Sequence, residues 1–242
     1  MKLIHTSEEK KQLLQQLGVD LLVVQPFNEA FAQLSAEEFV STILVQRLNV
    51  KKVIIGYDHR FGRNRTANID DMRLFGEKYG FAVEEISVQE VDEVSVSSTK
   101  IREALNKGDV TTAEHYLGTP YSLTGRVIHG LKLGRTLGYP TANIQVTEDY
   151  KLIPKDGVYA VYSYIGGRKV YGMMSIGKNP TIEGKGASIE VYFFDFNGNL
   201  YDQKLTIEFV QYLREEQKFA TIDLLKKQLQ DDETAARKAI AV

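Results

Sequence analysis

Residues 125–143 read GRVIHGLKLGRTLGYPTAN. Glycines at Gly130, Gly134 and Gly138 let a backbone come close to a polyphosphate and leave its N–H donors unobstructed, and Lys132 and Arg135 add positive charge. Thr141 and Asn143 carry oxygen donors of the kind Mg²⁺ accepts alongside phosphate oxygens. By spacing alone the segment reads equally as a glycine-rich turn cluster and as a nucleotide loop. It is no Walker A motif, because Gly130 to Thr136 is one residue too short and has arginine where that motif has lysine, which excludes a P-loop NTPase. Further on, Glu190 lies in an alternating stretch, sharing one face with Tyr192 and Phe194 while Ile189, Val191 and Phe193 take the other. A carboxylate among aromatics is partly desolvated and becomes a better base, although the pattern alone favours an ordinary solvated strand glutamate. Ser97, Ser98 and Thr99, with Arg102 one turn on, put hydroxyls and N–H groups at a helix start, either a phosphate site or a serine cap. The basic loop Arg60, Arg63 and Arg65 faces phosphates or water. His5, His59, His115 and His129 are scattered, without the spacing of a metal site.

These residues need elements to hold them. The chain has 242 residues, 43% of them hydrophobic, enough for one large core or two modest ones. Basic and acidic residues number 30 and 32, so no broad positive field exists to hold a nucleic acid or an anionic membrane. Cysteine is absent, which removes disulfides and thiolate chemistry and fits a reducing cytoplasm. No apolar run approaches a membrane span, and Met1 to His5 lacks the apolar core of a signal peptide, so a soluble, unexported protein is expected.

The two halves differ in texture on either side of Gly118-Thr119-Pro120. Residues 1–118 alternate short apolar runs with helical patterns. Capping boxes at Thr6-x-x-Glu9 and Ser35-x-x-Glu38 open helices ending at Gly18 and about Leu48, and a third helix runs from about Asp70 to before Gly80. Asp20 to Gln25, Val53 to Gly56 and Phe81 to Ile86 read as strands, the first buried on both faces, giving the β-α-β-α rhythm of a parallel doubly wound sheet. Two short helices follow, roughly 98–107 and 110–117. Residues 119–242 instead carry aromatic and β-branched runs between glycine turns, with Gly166-Gly167 a tight hairpin signal and Asn197-Gly198-Asn199 another turn. Antiparallel strands without intervening helices mean a sandwich or small barrel. A helix over about 221–229 and a last short helix after Asp231 close the chain.

The Pro140-Thr141-Ala142-Asn143 tetrapeptide decides between the readings of the loop. It resembles the signature of riboflavin kinases, and residues 20–242 are similar to the prokaryotic bifunctional riboflavin kinase/FMN adenylyltransferase (FAD synthetase) family. The other matching stretches are Pro26-Phe27 through Glu38-Phe39, Gly56-x-Asp58-x-x-Phe61-Gly62, Val96 to Arg102, Gly177-x-Asn179-Pro180-Thr181, Glu190 with Asp195-Phe196, and Leu213-Arg214-x-Glu216-x-Lys218-Phe219. The resemblance implies an α/β N-terminal part (an incomplete Rossmann-like nucleotidyltransferase, 1–118) and an all-β C-terminal domain (119–242), a six-stranded antiparallel barrel with a C-terminal helix. It implies Mg²⁺ with ATP as cofactor, riboflavin/FMN and ATP/ADP as partners, Thr141 and Asn143 at metal and phosphate, and Glu190 as the base that deprotonates the ribityl 5'-hydroxyl. Arg214, Glu216 and Phe219 would help close the flavin site, although as residues they read equally as a charged helix cap with an anchor. Lys178, Asn179 and Thr181 read as site or turn.

The sequence departs from the family in lacking its His-x-Gly-His motif, which clamps ATP for nucleotidyl transfer, while Ser97, Ser98, Thr99 and Arg102 match a residual adenylyltransferase site. The expectation is riboflavin kinase activity with little or no FAD synthesis. The competing expectation, from another class, is a non-catalytic flavin or nucleotide binder. A sheet missing its first strand would show an edge or an uncovered face, so self-association through the N-terminal part is expected.

Overall fold

In a computed structural model the structure describes residues 2–87, 90–91, 94–177 and 188–240. Two compact units form: Met1–Gly18 together with Val96–Val242, and Val19–Ser95.

The first helix, α1 (Ser7–Gln16), starts where expected. Thr6 Oγ1 accepts the Glu9 N–H at 3.1 Å and Glu9 Oε2 accepts the Thr6 N–H at 2.8 Å. This helix belongs to the larger unit. Leu3 forms a parallel bridge with Lys151, and Ile4 enters the same core as the later strands.

The smaller unit follows. Asp20 to Gln25, read from the sequence as a strand buried on both faces, is neither. It forms no ladder among the described residues, and Leu21 and Val24 are 76% and 80% exposed. Apolar, β-branched composition favours a strand only where a neighbour accepts its hydrogen bonds, and the described sheet has none to offer this run. Two short helices, α2 (Glu29–Ala32) and α3 (Ala36–Glu38), lead into a π-helical stretch, Phe39–Arg47, that ends at Leu48 as expected. Then β1 (Lys52–Gly56), α4 (Ile69–Tyr79) and β2 (Ala82–Ile86) make one β-α-β unit whose strands pair in parallel, Lys52 opposite Ala82 through Gly56 opposite Ile86. Asn68 caps α4 and Gly80 ends it in the left-handed conformation. A core of Val40, Ile55, Phe61, Met72 and Phe81 holds the unit. A two-residue ladder, β3 (Glu90–Val91) with β4 (Val94–Ser95), closes it.

In the larger unit α5 (Ser98–Lys107) and α6 (Val110–Leu117) come first, each stopped by a left-handed glycine. Ile101, Leu105, Val110 and Ala113 pack into the barrel core. The barrel strands are β5 (Ser122–Ile128), β6 (Ala142–Gln145), β7 (Gly157–Ile165), β8 (Arg168–Gly177), β9 (Ser188–Phe193) and β10 (Lys204–Arg214), with the four-residue α7 (Leu133–Thr136) between β5 and β6. All neighbours are antiparallel and the barrel closes in the order β10-β5-β6-β9-β8-β7. Gly166 and Gly167, at φ 57° and 78°, make the tight β7–β8 turn.

Last comes α8 (Ile222–Ile240), one continuous helix where the sequence suggested two. The helix runs on through Asp231 and Asp232 because Asp232 is buried against a guanidinium and no glycine or proline interrupts the run. Leu229, Ala236 and Ile240 lie on Ala160, Met173, Tyr192 and Phe194, so α8 covers an outer face of the barrel.

Candidate functional site

Strand register gathers the chemistry. Asn143 stands opposite Ile128 on one side and Glu190 on the other, Glu190 opposite Ser175, Ser175 opposite Val158, and Val158 opposite Arg214. Paired residues project to the same side of a sheet, so Asn143, Glu190 and Arg214 form one row around the outside of the barrel. Ile189, Val191 and Phe193 point inward at 4%, 0% and 5% exposure, as the alternation required.

Before this row lies the glycine loop. Lys132 takes a left-handed φ of 60° to start α7, and Gly138 at φ 89° turns the chain back toward β6. Gly130 and Gly134 are needed for closeness: a methyl group at Gly130 would stand 2.6 Å from the Asn143 amide carbon, and one at Gly134 would collide with the Tyr139 carbonyl. The loop is thereby fastened to the residues it presents. His129 packs against Tyr201 in a tilted pair with ring centroids 3.9 Å apart. Arg135 and Thr141 line a cavity of about 480 Å³, whose opposite wall includes Phe193, Phe196, Asn199 and Tyr201.

Glu190 is half-buried and receives a hydroxyl on each oxygen. Thr141 Oγ1 donates to Oε2 at 2.9 Å and Ser188 Oγ donates to Oε1 at 3.3 Å. Thr141 therefore borders the cavity and holds the carboxylate. Nearby, Tyr139 meets Tyr192 edge-on at 5.0 Å and Tyr192 meets Phe194 at 5.8 Å. Burial first, and then the charge of Glu233, raise the Tyr139 phenol above its ordinary value, keeping it protonated at neutral pH. Sequence reasoning did not single out Ser188 or Tyr139. The period of two placed Ser188 on the face of Glu190 and could have found it; nothing local marks Tyr139.

On the other side of Glu190, β8 ends at Gly177, where a methyl group would stand 2.6 Å from the Glu216 carboxyl carbon. Arg214 forks onto Asp232, and its guanidinium lies 5.9 Å from the Phe219 ring centre. Lys178, Asn179 and Thr181 lie outside the described residues. Ser97 caps α5, accepting the Lys100 N–H at 3.3 Å, with exposed Ser98 and Thr99 after it, and Arg102 Nε donates to the Lys2 carbonyl at 3.0 Å. Arg60, Arg63 and Arg65 are exposed, the last two in a 3-10 turn.

Among the described residues no group of three or more His, Asp or Glu could hold a metal, and no helix is long and apolar enough to cross a membrane. The donor set of Thr141, Asn143 and Glu190 nevertheless fits Mg²⁺, which keeps waters and substrate phosphates as most of its ligands and needs only one or two protein oxygens.

Comparison with known proteins decides the family. The family model for riboflavin kinase matches residues 117–240 and that for FAD synthetase matches 1–100. A bifunctional riboflavin kinase/FMN adenylyltransferase of Pseudomonas fluorescens is 44% identical over 221 residues, covering 91% of this chain and 70% of the relative. Its counterpart in Listeria monocytogenes is 40% identical over 238 residues, covering 98% and 75%. The chain belongs to the bifunctional riboflavin kinase/FMN adenylyltransferase family. For this family member the expected fold, an α/β part followed by a six-stranded barrel with a C-terminal helix, is the fold observed. A crystal structure described as that of a macrolide-efflux protein from Streptococcus pneumoniae superposes with a TM-score of 0.88 at 35% identity, covering 97% of this chain and 75% of that one. That description concerns the other protein.

Proposed function

We propose that residues 119–242 transfer the terminal phosphoryl group of Mg-ATP to the 5'-hydroxyl of riboflavin, giving FMN and ADP. The observation that carries this reading is the Thr141 hydroxyl, which borders the 480 Å³ cavity and donates to Glu190. The cavity suits a nucleotide: Phe196 and Tyr201 offer apolar and stacking surface to a base, and Arg135 and the glycine loop offer charge and N–H groups to phosphates. The flavin side is then the far side of Glu190, toward Glu216, Arg214 and Phe219. Glu190 accepts the proton of the 5'-hydroxyl as its oxygen bonds to phosphorus, and the bond to the ADP oxygen breaks. Thr141 and Ser188 hold the carboxylate still, so little reorganisation accompanies the transfer. Mg²⁺, held by Thr141 and Asn143, would neutralise charge on the transferring phosphoryl group, which is most of what this chemistry requires.

Incubating the purified chain with riboflavin, ATP and Mg²⁺ should give FMN by chromatography. Glu190→Gln should lower kcat roughly 10²- to 10⁴-fold, the usual contribution of a general base; full activity in this variant would remove Glu190 from the role. In the same chromatogram little or no FAD should form, because the His-x-Gly-His clamp is missing from this sequence. Substrate binding without FMN would favour the non-catalytic reading instead.

The division into a partial adenylyltransferase part, 1–118, and a kinase domain, 119–242, is proposed on the same footing; the family matches ending at 100 and beginning at 117 support it. Cytoplasmic placement is supported by the absence of cysteine. Self-association through the smaller unit is supported by the exposed apolar run at Leu21 to Val24.

A further inference from the structure

Arg214 carries a commitment that a ligand-binding arginine would not need. Its Nε and Nη2 donate to Oδ1 and Oδ2 of Asp232, both at 2.6 Å, a bidentate pair with the aspartate side chain only 4% exposed. Gln228, one turn earlier on α8, donates to the same Oδ1 at 2.9 Å. The remaining arm, Nη1, donates to the Glu215 carbonyl at 2.8 Å, and the guanidinium carbon lies 5.9 Å from the Phe219 ring centre. Three directions of the fork are thus spent on the protein. They tie the last residue of β10 to α8 and shape residues 215–219, the segment that carries Glu216 to the end of β8.

We propose that Asp232 of α8 is a positioning residue for the flavin side of the site, acting through Arg214 to hold the Glu215–Phe219 segment in its closing conformation. This rests on the assignment of Arg214, Glu216 and Phe219 to the flavin side. A buried carboxylate without its cation is costly, so the pair locks Arg214 in one rotamer, and a planar fork, unlike a lysine, fixes direction as well as charge. Asp232 meets no substrate in this arrangement. Its neighbour Glu233 faces Tyr139, beside the glycine loop.

The test is kinetic and uses the full chain: KM for riboflavin at saturating ATP and KM for ATP at saturating riboflavin, for Arg214→Lys, Asp232→Asn and the double variant. Each single change should raise the riboflavin KM about tenfold, the scale of one lost charge-assisted hydrogen bond. The ATP KM should stay within about twofold. The double variant should be no worse than the poorer single, since both act through one interaction. Should Arg214→Lys raise the riboflavin KM while Asp232→Asn leaves it alone, or should the two effects multiply, the positioning role falls and the flavin assignment stands. An unchanged riboflavin KM in Arg214→Lys would overturn the flavin assignment itself. If Asp232→Asn does not fold, Gln228→Ala replaces it, with a smaller rise in riboflavin KM expected and no change refuting the proposal.

Discussion

Ladder register sets Asn143 opposite Glu190, and a glycine at 130 leaves room for the Asn143 amide beside it. Residue 130 is in contact with the Asn143 amide, so Gly130→Ala leaves the barrel core untouched but forces the amide to shift. The expected outcome is an unchanged melting temperature and a loss of activity of about tenfold or more, since small displacements in a positioned site cost rate steeply. Circular dichroism and FMN formation check the two halves of that statement. Gly138→Ala should behave differently. Nothing crowds a methyl group there, but φ 89° strains any other residue, so its effect should appear in stability of the loop. At this scale Thr141, Asn143 and Glu190 were legible through the motifs that resemble the family, since by residue type alone the loop read equally as a turn cluster and Glu190 as an ordinary strand glutamate. What each glycine is for was not, because contact across the loop is invisible in the order of residues.

The element whose placement departs most from a linear reading is α1. Lys151 is fully buried, donates to the Ile4 carbonyl at 2.8 Å and to Glu9 Oε2 at 2.6 Å, and lies over the Tyr121 ring. The pair fastens residues 2–16 to the barrel. Lys151→Met should destabilise the larger unit by about 3 to 5 kcal/mol, because Glu9 is left charged and buried, whereas Lys151→Met with Glu9→Leu should recover much of the loss. Thermal denaturation of the three proteins reads this directly. Burial lowers the Lys151 pKa from its ordinary 10.5, with Glu9 opposing. The unfolded chain then holds more protons just below 10.5, and stability should rise with pH through that window in the parent protein and lose that slope in Lys151→Met. The capping box predicted that α1 exists; it could not say what the helix docks on, since a cap is local and docking depends on residue 151. The same holds for α8, where apolar spacing foretold a helix only to about 229 with a short one after Asp231, and the structure makes one helix through the buried Asp232.

Across the whole molecule, the two halves distinguished by composition do not coincide with the two compact units, because α1, α5 and α6 join the barrel. Among the described residues the smaller unit has one parallel strand pair, and Leu21, Val23 and Val24 lie in solvent. Sedimentation of the purified chain should therefore show concentration-dependent association, abolished by replacing Leu21 and Val24 with lysine. A monomer at all concentrations would end the self-association proposal. Taken alone, the order of residues determined the family, the barrel strands with their turns, and the principal candidate side chains, since hydrophobic period, glycine turns and motif chemistry are written locally. Only the tertiary structure decided that Asp20 to Gln25 has no strand to pair with among the described residues, that Arg214 answers to Asp232, and that Asn143, Glu190 and Arg214 share one row of the barrel. Each of these depends on which distant residue arrives as a neighbour, and ladder register and burial exist only once the chain has closed on itself.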